Sequence, residues 1–103
     1  MRMMVKVSIP TAKGNALVRQ GTLGSTIQKL LDELKPEAVY FVEYGGLRTG
    51  FLFIDMKDTA SLPALVEPIF LALDASVEVR PCMTPPDLAA ATPAINAAAQ
   101  RWG

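Results

Sequence analysis

Histidine is absent from the 103 residues of this chain, and cysteine occurs once. Without histidine there is no Ser-His-Asp triad, no histidine-held metal centre and no histidine ligand for haem. A single cysteine makes no intramolecular disulfide, no CxxC redox pair and no cysteine-rich zinc site; a lone thiol fits a reducing compartment. Net charge is missing too. Ten basic residues offset ten acidic ones, so the clustered positive charge that neutralises phosphates is not there. No apolar run reaches the roughly 18 residues of a membrane helix. Lys6 interrupts the opening Met1–Val7, which therefore lacks the apolar region of a signal peptide. The expectation is a cytoplasmic protein with no metal, no cofactor, no nucleic-acid partner and no membrane partner.

What is present is apolar. Half of the residues are hydrophobic and 19% are charged, enough for a core and too apolar for a disordered tail. The length suits one domain spanning 1–103. Met3, Val5, Val7 and Ile9 alternate with Met4, Lys6 and Ser8, the period-2 signature of a strand ended by Pro10. From Gly14 the period changes: Leu23, Ile27, Leu30, Leu31 and Leu34 fall at spacings of three and four. That spacing predicts an amphipathic helix closing before Pro36, with Gly21 and Gly24 weakening its first half.

Two strands follow, at 38–44 and 51–56, around a glycine-punctuated loop over 45–50. Leu62, Leu65, Val66, Ile69, Phe70 and Leu73 mark a second helix, interrupted by Pro68 on its solvent side. A fourth strand alternates over 76–82. Thr84-Pro85-Pro86-Asp87 has the hydroxyl cap, first-turn prolines and early acid of a helix start, and Thr92-Pro93 repeats the signal. Trp102 would clasp the terminal helix to the body.

The order β-α-β-β-α-β predicts an α+β, ferredoxin-like fold. It has one antiparallel four-stranded sheet in the order 4-1-3-2, helices on one face and an extra C-terminal helix. Val5, Val7, Ile9, Val39, Phe41, Leu52, Ile54, Met56, Val77 and Val79 form the face for the helices. The other face carries Tyr40, Val42, Tyr44, Phe51, Phe53 and Asp55, with Met4, Lys6, Ser8, Glu78, Arg80 and Cys82; Tyr44 and Phe51 pair across the hairpin. An aromatic face of this kind is rarely left in water. A second copy would cover it, giving a homodimer with a mixed aromatic and charged interior.

This architecture resembles the dimeric α/β-barrel superfamily. Lys35–Phe41, Gly46–Gly50, Glu67–Ala72 and Met83–Leu88 are similar to stretches of a family of small bacterial proteins without an assigned activity. The resemblance implies the dimeric barrel and leaves the reaction open, since superfamily relatives include cofactor-independent monooxygenases, isomerases and haem-degrading enzymes. The haem branch uses a histidine that this chain lacks.

Three functions stay open: a barrel binding a small aromatic or acidic metabolite between two sheets, a cofactor-independent monooxygenase or isomerase, and a purely structural dimer. Candidate ligand-binding residues are Lys6, Tyr40, Tyr44, Arg48, Phe53, Asp55 and Arg80. Asp55 and Glu78 are candidate bases and Tyr40 a hydrogen-bond donor. Lys6 and Asp55 are expected to meet on the open face. The charges equally suit a structural ion-pair network, and the tyrosines an interface. Arg48 on the loop tip suits a carboxylate clamp or a solvated loop residue. Lys13-Gly14-Asn15, ahead of the first helix, suits an anion at a helix N-terminus. Glu67 reads as an exposed carboxylate and Cys82 as an unreactive thiol.

Overall fold

Alternation in the first segment builds a strand with one wet and one dry side. In β1 (Arg2–Ile9), Met3, Val5, Val7 and Ile9 are buried while their neighbours are half-covered. The structure, a computed structural model, describes residues 1–103. Strands β2 (Ala38–Tyr44), β3 (Leu47–Asp55) and β4 (Ser76–Pro81) complete one sheet in the order β2-β3-β1-β4, every pair antiparallel. This is the expected ferredoxin-like α+β order.

The expected single helix from Gly14 to Leu34 is two. Helix α1 (Thr11–Gln20) stops at Gly21, whose φ of 71° lies in the left-handed region and whose N–H caps the carbonyls of Leu17 and Val18. Glycine takes that angle without a Cβ penalty. Helix α2 (Leu23–Leu34) then runs as a separate amphipathic segment. Lys13, Gly14 and Asn15 therefore lie inside α1 rather than ahead of a helix.

The hairpin also differs from expectation. Gly45 and Gly46 both have positive φ, 60° and 81°, as a two-residue type I′ turn requires. Tyr44 consequently pairs with Leu47 and Phe51 sits opposite Tyr40, so β3 begins four residues before the expected strand. Arg48 is a strand residue, not a loop tip. The rings of Tyr44 and Phe51 still meet, diagonally and edge-on, with centroids 6.0 Å apart.

A 3-10 turn at Thr59–Ser61, capped by the Asp58 carboxylate, leads into α3 (Leu62–Leu73). Leu65, Ile69 and Leu73 are its buried stripe, and Leu62 and Phe70 fall outside it. Pro68 is half-buried beside a cleft of about 710 Å³ against α2, not on an open solvent side. The core lies between these helices and one sheet face: Met3, Val5, Val7, Ile9, Leu52, Ile54 and Met56 below, Leu17, Leu30, Leu65, Ile69 and Leu73 above.

Beyond β4 the chain leaves the body. In α4 (Pro85–Ala90), Thr84 accepts the Asp87 N–H while the Asp87 carboxylate accepts the Thr84 N–H, a complete capping box. Helix α5 (Thr92–Trp102) has no buried residue, and Trp102 is 85% exposed. The expected clasp on the body is absent. No helix is long and apolar enough to cross a membrane.

Candidate functional site

Residue parity divides the polar side chains between the two sheet faces. On the open face, Lys6 stands between Phe51 and Glu78 in the strand register. Its ammonium lies 3.3 Å from the Glu78 carboxylate and 3.8 Å from the centre of the Tyr44 ring. Arg80 reaches the same carboxylate at 2.9 Å. The expected meeting of Lys6 with Asp55 does not occur. Asp55 pairs in register with Arg2, about 13 Å along the strand from Lys6 at ~3.3 Å per residue. Its carboxylate binds the Met1 amine at 2.8 Å.

These partners make both carboxylates weaker bases. The hydrogen bond from Lys6, then its charge and that of Arg80, holds Glu78 below the usual carboxylate range. The Met1 amine does the same for Asp55, again through its hydrogen bond first. Tyr40 is exposed on edge strand β2, and Phe53 is half-buried opposite Met4 and Ala38. Cys82 is half-buried and donates its N–H to the Arg2 carbonyl, and Glu67 is exposed.

A lowered Glu78 pKa has a testable consequence. The ion pair stabilises the fold while Glu78 is ionised, which holds above its ordinary value of 4.5. That contribution fades as pH falls through the lower folded-state value, where the carboxylate takes up a proton. Glu78→Gln is therefore expected to melt below wild type near neutrality and to converge with it in acid. Melting curves of both proteins across that range check this; a pH-independent gap would refute it.

A groove also lies on the other face of the sheet. Helix α2 turns Leu23, Ile27, Leu31 and Leu34 toward β2 and β3 but does not close on them, leaving a groove of about 690 Å³. Phe41, assigned to the helix-covered set, is 58% exposed as a result. Val7, Leu52 and Ile69 contribute to the groove's apolar lining. Gly50 lies beneath the Phe41 ring, where a Cβ would be in ordinary contact at 3.5 Å.

Arg48 and Glu43 are the charged residues of the lining, facing each other across the β2–β3 register. Glu43 turns back to accept the Gly46 N–H at 2.7 Å. Arg48 donates Nη1 to the Asn15 side-chain oxygen at 3.0 Å and belongs to none of the ion pairs. Gly14 makes this placement possible: a Cβ there would lie 2.6 Å from the same Nη1. Lys13 is engaged elsewhere, 3.8 Å from Asp74.

Of the sequence candidates, the structure brings together Lys6, Tyr44 and Arg80 with Glu78. Arg48 stands apart on the opposite face, and Asn15, Gly14, Glu43 and the α2 leucines join it there. Extending the β3 alternation backward from Leu52 through Gly50 to Arg48 is the signal that would have found this group.

No protein-family model matches the chain, and no curated protein matches it. Among solved structures, a formyltetrahydrofolate deformylase from Pseudomonas putida KT2440 aligns with 80% of this chain at 11% identity and a TM-score of 0.49. This chain spans 29% of that protein's length. A Deinococcus radiodurans protein described as an antibiotic biosynthesis monooxygenase aligns with 82% of this chain and 94% of its own, at 11% identity and a TM-score of 0.41. Neither likeness reaches beyond the fold.

Proposed function

We propose that the protein binds a small amphipathic anion in the groove beneath α2, its apolar body against the leucines and its carboxylate on Arg48, and works as a homodimer through the open sheet face. The observation that carries the binding reading is an apolar cavity of about 690 Å³ with an arginine outside any ion pair at its edge. Ligand sites are commonly cavities of about 300–1,000 Å³ with apolar walls and few polar groups. A planar guanidinium offers two parallel N–H donors to a carboxylate. The site thus moves from between two sheets to between sheet and helix. The aromatic face, with Tyr40 63% and Tyr44 54% exposed, serves self-association, and Lys6, Phe53, Asp55 and Arg80 belong to that side.

Titration calorimetry with 2-naphthoate, octanoate and dodecanoate, each beside its neutral methyl ester, tests this reading. The acids are expected to bind more tightly than the esters. Arg48→Met keeps the apolar stem and should weaken the acids about 10–100-fold, the equivalent of one charge-assisted contact of ~1.5–3 kcal/mol. Equal binding of acid and ester, or no saturable binding by any of them, would sink the proposal. Gly14→Ala gives a second handle. Its methyl group displaces the mobile end of Arg48 while removing a helical glycine, so stability should rise by up to about 1 kcal/mol as acid affinity falls. Denaturant melts and the same calorimetry check both signs.

A further inference from the structure

Chain dimensions of 58 × 28 × 20 Å and a radius of gyration of 17.1 Å do not belong to a chain folded wholly on itself; about 13 Å is usual at this length. The excess is the segment after β4. There Met83, Leu88, Ile95 and Trp102 are 50–85% exposed. Leu88, Ile95 and Trp102 recur with Ala91 and Ala98 at helical spacing, which makes one unpartnered stripe.

We propose that residues 83–102 are an exchanged arm whose stripe packs on edge strand β2 of a second copy of the chain. This rests on the reading of the open sheet face as a self-association surface.

Topology selects the docking place. The arm leaves from β4, at one edge of the sheet, while the most exposed strand, β2, is the opposite edge. Tyr40, Phe41, Val42 and Tyr44 on β2 are each 44–63% exposed, on both faces of a strand whose outer backbone edge is unpaired. Edges of this kind are usually covered. When two copies stack open face to open face about a two-fold axis along the strands, the β4 edge of one lies beside the β2 edge of the other. An arm too far from its own β2 then starts next to its partner's.

Area favours a second copy as well. At ~150–250 Å² for a fully buried aromatic side chain, the part-covered Tyr40, Tyr44, Phe51 and Phe53 offer on the order of 400 Å². A stable interface takes about 800 Å² from each partner. The arm's four large apolar side chains supply roughly the difference. Neither surface suffices alone, and reciprocal exchange covers both at once.

Trp102 is the sole tryptophan and reports on the arm directly. Sedimentation velocity, tryptophan emission and acrylamide quenching are measured on the full chain over one dilution series, for wild type, Ile95→Glu and Phe53→Lys. Circular dichroism confirms that the variants fold, as expected for substitutions outside the core. Wild type is expected to be a dimer with Trp102 shielded, becoming quenchable as the dimer dissociates. Ile95→Glu should raise the dissociation constant by at least about tenfold, the loss of one interface anchor, and leave Trp102 quenchable. A dimer unaffected by Ile95→Glu, with Trp102 quenchable throughout, would overturn the arm and leave the sheet-face dimer standing. Association lost in Ile95→Glu but kept in Phe53→Lys would support the arm and overturn the sheet face. A wild-type monomer overturns both, and a monomer with shielded Trp102 means that the arm folds onto its own chain.

Discussion

Replacing Ile69 by alanine is expected to cost about 2–5 kcal/mol of folding free energy, the range for losing a buried branched side chain and leaving a cavity. Ile69 is 1% exposed, and it and Val5 are the largest fully buried side chains. It joins α3 to the sheet and also contributes to the groove lining. Small domains hold ~5–15 kcal/mol in total, so this one substitution removes much of the margin. At ~4–8 °C per kcal/mol the melting temperature should fall by roughly 8–40 °C. Leu71→Ala, two residues on and on the opposite side of α3, where the side chain is 77% exposed, should stay within about 0.5 kcal/mol of wild type. Urea melts of the three proteins decide it. A loss under about 1 kcal/mol for Ile69→Ala would mean that α3 is not seated as described.

Phe53→Lys is expected to weaken self-association by at least about a hundredfold, because desolvating an unpaired ammonium costs several kcal/mol. Phe53 stands on the open face between Met4 and Ala38, with Arg80 next beyond Met4, so the new charge meets no carboxylate in its row. The isolated chain should tolerate it, since a lysine can lay its stem on the sheet and lift its head into water. Leu71→Lys on the outer side of α3 is the matched control and should leave association unchanged. Sedimentation equilibrium reads both. Equal dissociation constants for Phe53→Lys and wild type would remove the sheet face from the interface.

Period and turn chemistry made the fold legible. β1 alternates because one side of it is buried against helices, and α3 carries a three-four stripe for the same reason. Thr84 and Asp87 announce the start of α4 because their side chains satisfy each other's backbone N–H groups, a bond made within four residues. The break at Gly21 was half legible. Glycine marks a weak point in a helix, but whether the chain bends or ends there depends on how α2 packs.

The candidate site was much less legible. Gly50 looks like a loop residue by itself, yet pairing with Val7 on one side and Phe41 on the other holds it in a central strand. That pairing carries Arg48 onto the helix face. The partner of Lys6 was misplaced because strand order names the neighbouring strands and not the register, which here sets Glu78 directly opposite and Asp55 four residues away.

By itself the sequence determined the order of the four strands, the faces of β1 and β4, the capped start of α4 and an aromatic sheet face without a covering helix. Each follows from spacing or from bonds between near neighbours, which the chain carries in its own order. Only the tertiary structure decided the hairpin register, the gap between α2 and the sheet, the seat of Arg48 against Gly14 and the departure of the C-terminal arm from the body. Those depend on distances between segments far apart in sequence: periodicity says which side of an element turns inward, and packing alone says how closely the next one approaches.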